Sequence, residues 1–325
     1  MSRSISLHKH GINASRLALG CMGLGGGWNR NPVTAANVKE AHEAVDAALE
    51  AGINMFDHAD IYTFGKAEQV FGEVLKERPE LRDRIILQSK CGIVLAQAEG
   101  QSNRFDFSKD HILNSVDGIL SRLGVGQLDV LLLHRPDPLM EPDEIAEAFG
   151  KLKQAGKVKR FGVSNMSAAQ MRLIQASLDE PLVANQLELS LLKLDWLDSV
   201  VHVNQDAGKQ VSYPEGTTEY CRLENVQIQA WSPLARGLFS GASLEGAASN
   251  VKDTAALVAK LAEEKGTSRE AIVLAFLLRH PAGIQPVIGT VKPERIIASG
   301  KATDVELSRE EWYLLYTTSR GRKMP

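Results

Sequence analysis

Four side chains of the kind that move protons stand at or just past the ends of short apolar runs. They are Asp57 and Tyr62 in FDHADIY, Lys90 in ILQSKC and His134 in VLLLHR. Asp57 and Lys90 are 33 residues apart, and Lys90 and His134 are 44 apart. One such group therefore falls in each of three successive strand–helix periods. Tyr62 lies five residues past Asp57. If the runs are parallel strands of one barrel, all four groups converge on its C-terminal mouth, where barrel enzymes keep their chemistry.

The set makes sense as a proton-transfer site. An ordinary tyrosine, with a pKa near 10, is a poor acid at neutral pH. An ammonium about 4 Å away contributes roughly 4 kcal/mol at an effective dielectric near 20. That is enough to lower a phenol pKa by up to about three. A buried lysine on its own would lose its proton, so it needs a carboxylate, and Asp57 can supply one. A histidine at the rim can hydrogen-bond a carbonyl oxygen and orient it. General acid–base catalysis of this kind contributes about 10²–10⁴-fold.

The elements that must position these groups follow one rhythm. Short β-type runs cover Leu17–Gly23, Asn54–Ala59, Arg84–Cys91, Leu128–His134, Val158–Asn165, Leu182–Glu188, Val226–Ser232 and Gln285–Thr290. Several are apolar throughout, as strands buried on both faces of a parallel sheet are. Amphipathic stretches separate them. Val38–Glu50 stops at Gly52. Ser108, Ser167 and Ser268 are placed to cap helices over 110–123, 168–178 and 272–278. Pro142 suits the first turn of a helix through Gln154.

Eight β/α units in about 300 residues fit a closed (β/α)8 TIM barrel, read as one domain over residues 1–325. An open dinucleotide-binding sheet would need G-x-G-x-x-G leading into a helix. Here Gly23-Leu24-Gly25-Gly26-Gly27-Trp28 ends on Trp and opens a loop. Ser4–Arg16 is expected as a small hairpin over the barrel bottom. The stretches 93–107 and 190–220 are expected as loops or insertions on the one barrel.

Composition narrows the function class. Hydrophobic residues make up 44%, charged residues 24%, and the net charge is -3. Such a chain folds around a large core and presents no basic surface for nucleic acid. The longest apolar runs fall well short of the roughly 20 residues that span a bilayer. The N-terminus has no apolar core of a signal peptide. Three cysteines, Cys21, Cys91 and Cys221, make neither a disulfide framework nor a metal set. The reading at this level is a soluble, cytoplasmic protein with no nucleic acid, membrane or metal partner. HExxH, P-loop and G-x-S-x-G signatures are absent from the sequence.

Together the motifs Asp57-x4-Tyr62, Ser89-Lys90 and Leu133-His134 resemble the Asp/Tyr/Lys/His tetrad of the aldo-keto reductase superfamily. DHADIY, SKCGI, LHRPDPLM, GKVKRFGVSN and ANQLELS are similar to segments of its bacterial YdhF-type oxidoreductases. The likeness runs from about residue 15 to 318. It implies that Tyr62 donates the proton, Lys90 tunes it, Asp57 pairs with Lys90 and His134 orients the carbonyl. It implies NADPH or NADP as cofactor, in preference to NADH.

By the same likeness, Ser164, Asn165 and Gln186 would hold the nicotinamide carboxamide. Trp231, Ser232, Leu234 and Arg236 would stack on the ring and wrap the pyrophosphate. Gly289, Thr290, Lys292 and Arg295 would receive the adenosine phosphates. Independently, a helix starting at Pro293 offers free N–H groups to an anion, and Lys292 and Arg295 add cations. The sequence departs from the family at His58, where many members have Thr, and at Trp231, where many have Tyr. It also has Gly289 where some carry a phosphate-binding Lys.

Plainer readings stand beside these. Lys292 and Arg295 are also consistent with a solvated helix face, and Cys91 with a small residue in a tight site. His10, His42, His111, His202 and His280 read as surface or core. Arg320-Gly321-Arg322-Lys323 reads as a solvated terminus. Trp28, Phe64, Phe105, Trp196 and Leu238 are candidates for an apolar substrate pocket. The alternative function is a nicotinamide-sensing binding module with slow turnover. A barrel hydrolase or lyase using the same strand ends is a third reading.

Overall fold

The computed structural model describes residues 4–96, 98 and 100–325. Eight strands close into one parallel barrel: β1 (Ala18–Gly20), β2 (Met55–Asp57), β3 (Ile86–Cys91), β6 (Leu128–Leu133), β7 (Val158–Ser164), β8 (Ala184–Glu188), β9 (Gln227–Trp231) and β10 (Gln285–Ile288). A two-stranded antiparallel hairpin, β4 (Ile93–Val94) with β5 (Arg104–Phe105), lies outside it. The order around the barrel follows the chain, and β10 closes back onto β1.

The two-residue period of a strand sorts the side chains. Leu87, Leu131, Leu133, Val163, Ile228, Ala230 and Ile288 point outward into the main core, against the helices. Ala18, Met55, Val130, Leu132, Ala184 and Val287 point inward and form a second, smaller core. Counting on by two from these inner residues reaches Asp57, His134 and Gln186. The register lays Gly20 beside Asp57, Asp57 beside Gln88, Lys90 beside Leu132 and Ser164 beside Gln186. Inner-face glycine keeps the barrel narrow: a Cβ on Gly162 would lie 2.7 Å from both the Ala184 carbonyl oxygen and Leu132 Cδ2.

The helices start where their caps direct. Ser108, Ser167 and Ser268 accept hydrogen bonds from the N–H groups of His111, Gln170 and Ala271. Thr34 and Asn37 form a reciprocal capping box, so the first long helix begins at Ala35, three residues before the apolar stripe. The Pro142–Gln154 helix begins on its proline.

One expectation about the connections is corrected, and two are made specific. Residues 4–16 contain no strand. A 3₁₀ turn, Ser6–His10, ends at Gly11 in the left-handed region. Ile5, Leu7, Ile12 and Ala14 then plug the barrel bottom, because burying four apolar side chains outweighs forming an exposed two-stranded ladder. The 93–107 stretch carries the hairpin rather than a plain loop. The 190–220 stretch carries a helix, Asp195–Val201, a 3₁₀ turn, Asp206–Gln210, and the start of the helix Thr217–Leu223. Among the described residues, no helix is long and apolar enough to cross a membrane.

Candidate active site

β2 and β3 hold the centre of the site. Lys90 is fully buried, and its ammonium donates to Asp57 Oδ2 at 2.7 Å, the His58 carbonyl oxygen at 2.8 Å and Tyr62 Oη at 3.0 Å. Its three N–H bonds are thereby allocated one each. Asp57 Oδ1 accepts from Gln88 Nε2 at 2.6 Å. The His134 ring meets the Tyr62 ring edge-on, with centroids 5.8 Å apart. Its Nδ1 is buried and takes no hydrogen bond. The four residues singled out by spacing therefore share one place.

Tyr62 is presented by a strained turn. Thr63 and Phe64 follow it at φ 48° and 61°, and the Thr63 hydroxyl donates to the Leu24 carbonyl oxygen at 3.1 Å. Among the described residues, eight non-glycine residues have positive φ. Asn165, Asn204 and Asn225 tolerate that region as asparagines do. The five that are not asparagine are Thr63, Phe64, Ser232, Ala235 and Arg236, and all lie in the turns after β2 and β9. Such conformations cost about 1–3 kcal/mol each and collect where a backbone must meet a ligand.

Electrostatics correct one expectation. Burial raises the Tyr62 pKa above its ordinary value; Lys90 opposes this, and Asp57 adds to it. The phenol is thus not an activated acid at rest. It holds its proton, and the Lys90 ammonium 3.0 Å away would stabilise a phenolate at this position. Burial pulls Lys90 down, but the Asp57 charge and the hydrogen bonds to Asp57 and Tyr62 leave it raised, so it stays an ammonium. Burial, with Lys90 and Arg135 nearby, holds His134 well below its usual value. It is a neutral imidazole, able to donate one hydrogen bond. His58 is pushed down to about 3 by burial and Lys90; its carbonyl serves Lys90 while its ring packs on Phe71. Burial pushes the Cys91 thiol up, which makes it the inert small residue of the plainer reading.

The cofactor candidates occupy the other side of the mouth. Trp231 Nε1 donates to Asn165 Oδ1 at 3.0 Å, and Asn165 Nδ2 donates to Ser164 Oγ at 2.8 Å and the His134 carbonyl oxygen at 3.3 Å. Ser164 Oγ donates in turn to the Gln186 carbonyl oxygen at 2.9 Å. The Trp231 ring is thus locked in place, with the Arg135 guanidinium 5.7 Å from its centroid. Ser232, Leu234 and Arg236 lie on the strained turn after β9. Gly289 and Thr290 follow β10, and Lys292 is exposed at the start of the helix Pro293–Gly300. Arg295 is not a free cation: it pairs with Glu270 at 3.3 Å and donates to Ser240 Oγ at 3.1 Å.

The apolar pocket is smaller than expected. Trp28 and Phe64 meet edge-on at 5.6 Å and are substantially exposed, as is Phe105 on the hairpin. Leu238 is half-buried and packs on the main core. Trp196 is fully buried, against His280 at 4.8 Å, so it belongs to the core. The basic terminus is likewise not fully solvated. Arg320 and Arg322 reach back to Asp198 at 3.0 and 2.8 Å, because that buried carboxylate needs cations.

Reading motifs at strand ends missed Gln88 and Gln229, two buried glutamines behind the tetrad. It also missed Asp60 and Glu68, two acidic groups beside Arg122. A signal was present: RIILQSK and VQIQAW carry uncharged polar residues inside apolar strands, two positions before Lys90 and Trp231. Asp60 lines a cavity of about 290 Å³ next to Phe64. Burial and the Glu68 charge push its carboxyl up to about 7, against Arg122. Among the described residues, no group of three or more His, Cys, Asp or Glu could hold a metal ion.

A closed parallel barrel with a buried Asp–Lys–Tyr chain and a facing histidine defines a class, and comparison with known proteins agrees. The aldo/keto reductase family matches residues 16–317. Oxidoreductase YdhF of Escherichia coli is 35% identical over the full length of both chains. A 6-dehydroglucose reductase of Agrobacterium fabrum is 35% identical, covering 96% of this chain and 97% of that protein. An aldo/keto reductase of Klebsiella pneumoniae, crystallised with NADP and acetate, superposes with a TM-score of 0.70 at 24% identity, over 93% of this chain and 90% of that one. The chain belongs to the aldo/keto reductase family.

Proposed function

We propose that this chain is an NADP(H)-dependent reductase of aldehydes or ketones, working as one domain over residues 1–325. The observation that carries the reading is the hydrogen-bonded series Asp57–Lys90–Tyr62 facing a neutral His134. Tyr62 holds the proton to be delivered, and His134 donates a hydrogen bond that orients the carbonyl oxygen. Lys90 stabilises the phenolate that remains, and Asp57 keeps Lys90 charged. When bound, a reduced nicotinamide supplies the hydride for the carbonyl carbon.

The chain's residues fit that cofactor. Trp231 is fixed edge-on by Asn165 and offers a face for stacking. Gln186 uses Nε2 on Gln229 at 3.1 Å, and among the described residues none donates to its Oε1, which suits a carboxamide N–H. Ser164 has already spent its hydrogen on Gln186, so it serves a ligand as an acceptor. The positive-φ turn Ser232–Gly237 suits a phosphate approaching backbone. Lys292 and the N-terminus of the helix Pro293–Gly300 favour a phosphate group. The Klebsiella structure was solved with NADP and acetate, consistent with this reading.

Carbonyl compounds would enter past Trp28, Phe64 and Phe105. The name of the Agrobacterium relative makes oxidised sugars the first substrates to try. The test is multiple-turnover oxidation of NADPH with a panel of sugar and aromatic aldehydes. Repeated turnover, lost in Tyr62→Phe with NADPH binding retained, is the expected result. A single cofactor oxidation per chain would replace this reading with a nicotinamide sensor.

A further inference from the structure

Behind the tetrad, the barrel interior carries a continuous hydrogen-bonded series of amides. Gln88 Nε2 donates to Asp57 Oδ1 at 2.6 Å and to Gln229 Oε1 at 2.9 Å. Gln229 Nε2 returns a bond to Gln88 Oε1 at 3.2 Å and donates to Gln285 Oε1 at 2.9 Å. Gln285 Nε2 ends on the Ser15 carbonyl oxygen at 2.6 Å. Gln88, Gln229 and Gln285 are fully buried.

Chemistry fixes the direction of every amide. An ionised carboxylate only accepts, so Gln88 must turn its NH₂ to Asp57. A backbone carbonyl only accepts, so Gln285 must turn its NH₂ to Ser15. Gln229 is then held from both sides. No amide in the series can flip without placing two donors or two acceptors face to face.

We propose that Gln88 is a positioning residue, held by Gln229, which fixes the Asp57 carboxylate and so keeps the Lys90 ammonium aimed at Tyr62 Oη. The reason lies in the count of hydrogens on Lys90. Its three N–H bonds go one each to Asp57 Oδ2, the His58 carbonyl and Tyr62. Asp57 Oδ1 is satisfied by Gln88. Without that donor, Oδ1 is a buried anionic acceptor whose best remaining donor is the hydrogen now aimed at Tyr62. The carboxylate turns to chelate Lys90, and the phenol loses its partner. Gln88 touches no reacting atom and acts only through Asp57 and Lys90.

This role rests on the proposed carbonyl reduction. Gln88→Leu and Gln88→Glu are compared with the wild-type chain. Sites are counted in each by NADPH-dependent quenching of tryptophan fluorescence, and kcat, KM and the pH profile are measured per counted site. The expected result for Gln88→Leu is a fall in kcat of about tenfold or more with KM for the carbonyl compound little changed. Its basic limb should also be displaced. Gln88→Glu places two carboxyls together, which share a proton and restore one donor to Asp57. It should recover activity at low pH and lose it as that proton leaves. A Gln88→Leu chain with wild-type kcat per site and a superimposable pH profile would overturn the positioning role alone. If Gln88→Leu does not fold, Gln88→Asn, whose amide is one methylene short of Asp57, is read by the same two outcomes. No turnover in the wild-type chain would overturn the proposed reduction, and the role of Gln88 with it.

Discussion

The two ends of the barrel interior solve opposite problems with the same strands. At the N-terminal end, Ala18, Met55, Val130, Leu132, Ala184 and Val287 meet the plug residues Ile5, Leu7, Ile12 and Ala14 in an apolar core. At the C-terminal end, two to four residues further along the strands, Asp57, Lys90 and Gln186 are as deeply buried and polar. Apolar contacts are non-directional, so the bottom needs only volume and pattern. A buried ion pair needs each lone pair and hydrogen matched. The mouth achieves this with the Asp57–Lys90–Tyr62 series and the glutamines behind it. The backbone reflects the same division: strained non-glycine residues occur in the turns after β2 and β9 at the mouth, whereas the plug turns on Gly11.

The contrast can be broken most sharply at Tyr62. Tyr62→Phe removes the proposed proton donor and leaves the fold's apolar contacts, so kcat should fall about 10²–10⁴-fold. Melting temperature and NADPH-induced quenching should change little. Lys90→Met tests the polar end for stability as well as rate. It leaves Asp57 as an uncompensated buried charge, and urea unfolding should show a loss of about 3–5 kcal/mol, alongside a loss of turnover.

Leu132→Ala probes the apolar end in the same β6 strand that carries His134 into the mouth. It should cost about 2–5 kcal/mol in urea unfolding, yet kcat per folded site should stay near wild type. A large fall in kcat would show that the two ends are not separable.

The smallest expected effect lies at Asp60, and its sign can be worked out. Its folded pKa, about 7, lies above the ordinary carboxylate value of 3.8. Between those values the folded chain holds a proton that the unfolded chain has released. Stability therefore falls as pH rises through that window, and the loss is complete above about 7. Asp60→Asn mimics the protonated form. It should raise the melting temperature by a few degrees at pH 8 and by much less at pH 4. An equal gain at both pH values would place the effect in packing rather than charge.

Much of this site was legible from residue type and spacing. Apolar runs bounded by turns located the eight strands, because a strand buried on both faces must be apolar whatever surrounds it. The two-residue period then required Asp57, Lys90 and His134 to share the inner face with Met55, Ile86 and Leu132. Caps such as Ser108 and Ser167 located helix starts, because the unsatisfied N–H groups of a first turn are a local problem with a local solution.

Other features were settled only by the folded chain. Which oxygen of Asp57 faces Lys90, and that Gln88 claims the other, depends on strands 31 residues apart in sequence meeting in register. The raised pKa of Tyr62 depends on how completely the site is enclosed, since burial opposes the effect of Lys90 and prevails. Arg295 meets Glu270 and Ser240, and Arg320 meets Asp198, across distances in sequence that no local pattern encodes. Residue identity and period determine which side chains enter the barrel. The closing of the ring determines which of them touch, because hydrogen bonds and desolvation act over a few ångströms that only tertiary packing sets.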